Sequence, residues 1–150
     1  LGGGEGHEVD RAVAELAASP DGPVKGERLA DSQDIPLQFL EHILLDLKHS
    51  GIVRARRGAK GGYWLARPAE EVSIAEVIRA VEGPIANVQS APPESITYTG
   101  SARELQNVWI AVRASLREVL ESTTLADLVS GELPQHVRDL ADDKDAWQPR

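Results

Sequence analysis

Phe39-Leu40-Glu41-His42-Ile43-Leu44-Leu45-Asp46-Leu47-Lys48-His49-Ser50-Gly51 is the most strongly patterned stretch of the chain. Phe39, Leu40, Ile43, Leu44 and Leu47 recur at three- and four-residue steps, so they share one face of a helix and predict a buried stripe. Gly51 is the residue type that closes such a helix. Upstream, Ile35-Pro36 marks its start, because proline suits the first helical position, where its missing N–H has no partner to lose. The opposite face carries Gln38, Glu41, His42, Leu45 and His49 and is free to meet a partner.

Toward the N-terminus, the polar turn Ser32-Gln33-Asp34 separates this helix from a short one expected from about Val24 to Asp31. Ser19-Pro20-Asp21-Gly22-Pro23 stops an earlier helix whose face holds Val13, Leu16 and Ala17. Leu1 to Gly6 reads as a flexible lead. Toward the C-terminus, Ile52 to Arg56, Arg57 to Gly62 and Tyr63 to Ala66 read as strand, glycine-rich turn and strand, a hairpin with a basic tip.

Ser73-Ile74-Ala75-Glu76 has the form of a capping box and predicts a helix ending at Gly83-Pro84. Ala86 to Gly100 is polar and irregular. A second box, Ser101-Ala102-Arg103-Glu104, predicts the start of a long helix in which Leu105, Val108, Trp109, Val112, Leu116 and Val119 form an apolar stripe. That stripe is long for its own small domain to cover, which favours a dimer interface. Thr124 to Val129 reads as a short helix ended by Gly131, and everything after Pro134 as an acidic, weakly structured tail.

The 150 residues allow one domain with an appended helical arm. With 41% hydrophobic and 27% charged residues, and no apolar run near the ~18 residues of a membrane span, the expectation is a soluble protein without a membrane partner. No secretory signal is visible, so a cytoplasmic location is the default. The absence of cysteine removes disulfides, thiolate catalysis and thiolate-held zinc or iron–sulfur clusters. His42 and His49 are seven residues apart, outside the spacing of three or four that zinc pairs on a helix prefer, and no metal site is expected. No serine, histidine and acid grouping suggests catalysis, and the glycines at 58, 61 and 62 match no nucleotide-binding pattern.

The net charge of −8 is unevenly spread. Lys48, Arg54, Arg56, Arg57, Lys60 and Arg67 lie in a segment with no acid between Leu47 and Ala69, whereas Glu118 to Asp145 is dominated by Asp and Glu. A helix pair followed at once by a basic hairpin is the winged-helix arrangement, in which the second helix enters the major groove and the hairpin reaches the neighbouring backbone or minor groove. Gln38, Glu41 and His42 can reach base edges, while a glycine-rich tip lets Arg57 and Lys60 approach phosphates. A solvated basic face is the plainer reading of the charge run. Two further readings are a winged helix that binds protein and a sensor with a small-molecule pocket near Trp64, Trp109 and the loop Asn87 to Gly100.

The stretch Phe39 to Val53, the hairpin Arg57 to Arg67, and the segments Val72 to Gly83 and Thr124 to Val129 resemble the Rrf-two family of bacterial winged-helix regulators, over about residues 11 to 130. The resemblance implies a mainly α fold with a small β-hairpin wing. In it, residues 7–83 form the DNA-binding domain, 84–100 a loop, 101–131 the dimerisation helices and 132–150 a flexible acidic tail. It implies a two-fold dimer that regulates transcription through double-stranded DNA, and the expectation for this chain is a homodimeric repressor on a palindromic operator. Gln38, Glu41 and His42 would read bases and Arg57 would enter the minor groove. Pro36, Lys48, Arg54, Arg56, Lys60 and Tyr63 complete the candidate DNA-contacting set, and the stripe from Leu105 to Val119 would cross its partner's equivalent.

The segment Gly6 to Asp10 lacks the aromatic residue with which the family's first helix usually begins. The cluster-binding members carry three cysteines in the loop before the long helix, and Asn87 to Gly100 has none, so a cluster of the usual kind is excluded and no cofactor is expected. Any sensing would run through a small-molecule effector or a protein partner.

Overall fold

Leu40, Ile43, Leu44 and Leu47 are buried along one side of a helix, as their spacing requires, while Phe39 is half-buried and packs against the core from its edge. The structure, a computed structural model, describes residues 4–85 and 91–149. Helices α1 (Gly4–Ala17), α2 (Gly26–Gln33) and α3 (Leu37–His49) precede an antiparallel pair, β1 (Val53–Arg56) and β2 (Gly62–Leu65). Then come α4 (Ile74–Glu82), the long α5 (Leu105–Ser122), α6 (Leu125–Ser130) and α7 (Gln135–Asp142). Short 3-10 turns occupy Ala69–Glu71, Pro93–Ser95, Gly100–Ala102 and Lys144–Trp147.

One core joins α1 to α4 and takes Leu125 from α6. Val13, Leu29, Leu40, Leu44, Leu47, Val77 and Leu125 are among its fully buried members. Leu125 arrives there because the chain entering α6 pairs with the chain entering α4. Ile74 N–H donates to the Thr123 carbonyl and Leu125 N–H to that of Val72, both at 2.9 Å. Thr124 and Asp127 form a reciprocal capping box at the start of α6.

The α2–α3 turn is closed by Asp34, the one non-glycine residue with positive φ (53°) among those described; aspartate tolerates this left-handed conformation better than most side chains. The end of α3 closes through Ile52 N–H, which donates to the Leu47 carbonyl at 3.0 Å while Ile52 itself is buried. Pro36 is the residue capping α3 rather than its first helical residue, one position earlier than expected.

Three other expectations are corrected. Residues 4–6 belong to α1 and are not a loose lead, while 1–3 lie outside the described residues. No capping box forms at Ser101–Glu104. Ser101 lies within a 3-10 turn, Glu104 already has a helical backbone, and its carboxylate accepts from the Asn107 side chain at 2.6 Å, so α5 opens at Leu105 without a cap. The tail after Pro134 is helical: α7 is tied back by Arg138, which donates to the Gly131 carbonyl at 2.8 Å, and by His136, whose Nε2 lies 2.9 Å from Ser122 Oγ.

The Ser73 box is half formed. Ser73 Oγ accepts from Glu76 N–H at 3.2 Å, but the Glu76 carboxylate is drawn away by the guanidinium of Arg67. Arg67 is thereby removed from the free basic run and serves to pin the exit of the hairpin to α4. No helix among the described residues is long and apolar enough to cross a membrane.

Candidate nucleic-acid interface

The site is a groove of about 360 Å3 between α3 and the hairpin. Helical spacing leaves Gln38, Glu41, His42, Leu45, Lys48 and His49 exposed on one face of α3. Strand alternation decides which hairpin residues turn toward that face. Val53 pairs with Leu65 and Ala55 with Tyr63 on the inner side, whereas Arg54 pairs with Trp64 and Arg56 with Gly62 on the outer side. Ala55 and Tyr63 thus share the groove with Glu41, Leu45 and Lys48, and Arg56 and Arg57, where β1 ends and the turn begins, also line it. Pro36, Gln38 and His42 lie along α3 beyond it, Lys60 is at the tip, and Arg54 lines a separate recess with Trp64 and Lys48.

Lys48, Arg54, Arg56, Arg57 and Lys60 are all exposed, and none is in an ion pair among the described residues. Paired cations would have to give up a partner before meeting an external anion; these do not. The Tyr63 phenol is pushed above its ordinary pKa, first by burial and then by the carboxylates of Glu41 and Glu27. It stays protonated at neutral pH, a hydroxyl able to donate to an acceptor in the groove.

The wing is held from behind by contacts that the sequence did not announce. Val24 and Tyr63 exchange two backbone hydrogen bonds of 2.8 Å, so one residue before α2 acts as a third strand, and α2 starts at Gly26 rather than near Val24. Lys25 Nζ donates to the Gly58 carbonyl at 2.6 Å and ties down the tip. Gly62 is required by this close approach: its φ is +146°, and a Cβ there would lie 2.6 Å from the Val24 carbonyl oxygen. Replacing Lys25 with methionine keeps the aliphatic stem and removes the tie. The expected result is a threefold to tenfold loss of DNA affinity, on the order of 1 kcal/mol, with unchanged thermal stability.

Leu45 is the residue on this face that sequence reasoning left without a role. It is 46% exposed in the groove, where a polar side chain would be the ordinary choice. An apolar side chain here suits the methyl group that marks thymine in the major groove.

The stripe expected to mediate self-association divides in two. Leu105, Val108 and Val112 are exposed at 38%, 52% and 39%, whereas Trp109, Leu116 and Val119 are half-buried and Leu116 packs against the protomer's own core. The N-terminal half of α5 thus carries the uncovered apolar surface.

A helix–turn–helix with its second helix exposed, backed by a basic two-stranded wing, defines a winged-helix regulator of transcription. Known proteins agree with that class. Residues 6–131 match the family described as Rrf2, iron-dependent transcriptional regulator. A Mycobacterium tuberculosis protein named as an HTH-type transcriptional regulator, Rv1287, is 49% identical over 134 residues, covering 89% of this chain and 83% of the relative. The structure of CymR, the global cysteine regulator of Bacillus subtilis, superposes with a TM-score of 0.74 at 30% identity, covering 86% of this chain and 95% of that one. T. potens IscR superposes with a TM-score of 0.69 at 30% identity, covering 100% and 93%.

The chain belongs to the Rrf2 family of DNA-binding transcriptional regulators, whose members are not enzymes. The iron dependence in the family's description does not fit this sequence. It contains no cysteine, and among the described residues no group of three or more His, Asp or Glu side chains could hold a metal ion.

Proposed function

We propose that the protein is a homodimeric repressor that binds a palindromic operator without an iron–sulfur cluster. The observation that carries this reading is the groove itself, where the polar face of α3 converges with cations of the wing that are in no ion pair among the described residues. Gln38, Glu41 and His42 face base edges, with Leu45 against thymine methyl groups, and Lys48, Arg56, Arg57 and Lys60 take phosphates. Arg57, at the wing's turn, reaches the adjacent minor groove.

Two such units related by a two-fold through the exposed half of α5 present their reading helices to half-sites about 34 Å apart. A dimer spanning that length of duplex occludes it, which is the simplest route to repression. With about four phosphates neutralised per protomer, the slope of log K against log salt for the dimer is expected near −7. Fluorescence anisotropy of a labelled duplex across a salt series reads this slope; a flat dependence would leave the basic wing without a DNA role.

A further inference from the structure

On the outer side of the wing, away from α3, lies a recess of about 280 Å3 lined by Pro20, Gly22, Pro23, Arg56, Lys60 and Trp64. Two separate segments build it: the turn that ends the α1 region, and the hairpin's outer face, where the pairing of Arg54 with Trp64 and of Arg56 with Gly62 sets Trp64 and Arg56 on one side. Gly62 leaves the position opposite Arg56 without a side chain. The walls are two pyrrolidine rings and a half-buried indole, and the polar groups are two cations with no ion-pair partner among the described residues.

We infer that this recess is an effector site for a small aromatic anion, a single ring bearing a carboxylate or phosphate, whose binding competes with DNA. The volume of about 280 Å3 admits one ring with one acidic group. Trp64 and the prolines offer the flat apolar contact an aromatic ring needs. The guanidinium of Arg56 and the ammonium of Lys60 supply charge-assisted hydrogen bonds to an oxyanion. No carboxylate lines the recess, so the charge complementarity favours an anion and not an amine.

The competitive part of the inference rests on the regulator reading above. Arg56 also lines the α3 groove, and Lys60 stands at the wing's tip. An occupant that neutralises both removes two phosphate-binding charges per protomer, and by linkage the ligand and DNA weaken each other's binding equally. Saturating ligand is expected to lower DNA affinity at least tenfold.

The test uses the full chain, first without DNA. Benzoate and phenyl phosphate are titrated into 15N-labelled protein, with inorganic phosphate and benzyl alcohol as the ring-less and charge-less controls. The indole N–H signals of Trp64, Trp109 and Trp147 are distinguished with a Trp64→Phe variant. The expected result is a saturable shift of the Trp64 signal alone with a ring anion, at least tenfold weaker with either control and absent in an Arg56→Gln/Lys60→Gln variant of unchanged fold. No Trp64 shift with either ring anion, equal shifts from a control, or a shift that survives the double substitution would overturn the site.

A second arm adds the same ring anion to protein bound to labelled duplex. Displacement supports the competition, and ligand bound without displacement overturns it. Failure of the ligand-free protein to bind duplex at all would instead refute the regulator reading, while the DNA-free titration still decides the recess.

Discussion

Replacing Arg56 and Arg57 together with alanine is expected to lower operator affinity about 100-fold and to reduce the salt slope by about 3.6, with helix content and melting temperature unchanged. Both side chains are exposed and neither is in an ion pair among the described residues, so their removal costs the fold little. Their loss strips four charges from a dimer, each worth close to one unit of slope through the counterions it releases. Because Arg56 contacts the backbone and Arg57 enters the minor groove, whose pattern is degenerate, affinity falls by a similar factor on most sequences and most of the preference among operators is retained. A variant that loses discrimination but keeps its salt slope would place these arginines on bases instead. Anisotropy titrations against an operator and a scrambled duplex, each at several salt concentrations, separate the two.

The second large effect is expected at α5. Val108 and Val112, 52% and 39% exposed, stand one turn apart on the uncovered half of the helix. Changing both to aspartate puts two charges per protomer, four across a two-fold, where apolar burial is required. Half-exposed valines and leucine gain about 1 kcal/mol each on full burial, so Leu105, Val108 and Val112 from two protomers supply roughly 6 kcal/mol of the gross association energy. Replacing part of that with buried, unpaired charge leaves association too weak to offset its entropic cost of about 4–15 kcal/mol. The variant is expected to sediment as a folded monomer. Its operator affinity is expected to fall by about 100-fold or more, since the second half-site no longer binds at the high effective concentration set by the first. A variant that stays dimeric would move the interface elsewhere.

How much of this was legible in the sequence depends on the range of the interaction. The period of Phe39 to Leu47 and the glycines after it identified α3 and the wing, because both signals are local: helix spacing in one case and turn chemistry in the other. The ties that aim the wing are not local. Lys25 and Gly58 are 33 residues apart, and Val24 carries no mark of the pairing it makes with Tyr63. Arg67 read as part of a basic run, and only the approach of Glu76 shows that its charge is spent inside the protein.

Two motifs were misread for physical reasons. Ser101-Ala102-Arg103-Glu104 satisfies a capping pattern by residue type, yet Glu104 is already helical and its carboxylate has a nearer donor in Asn107. The segment after Pro134 is acidic enough to resemble disordered chain, but Val137, Leu140 and Ala141 follow helical steps, and tertiary ties at His136 and Arg138 fix the helix. The stripe of α5 lies on the helix that its spacing predicts. Periodicity alone could not separate Leu116, which packs on the protomer's own core, from Val108, which is 52% exposed.

The central claim, that α3 and the wing of a two-fold dimer read a specific duplex, is tested most directly by selecting bound sequences from random duplex DNA with the purified protein at two salt concentrations. The account predicts enrichment of one palindrome with half-sites about one helical turn apart, recovered far less efficiently at the higher salt. Recovery of unenriched DNA at both salts, or of none at either, would contradict it.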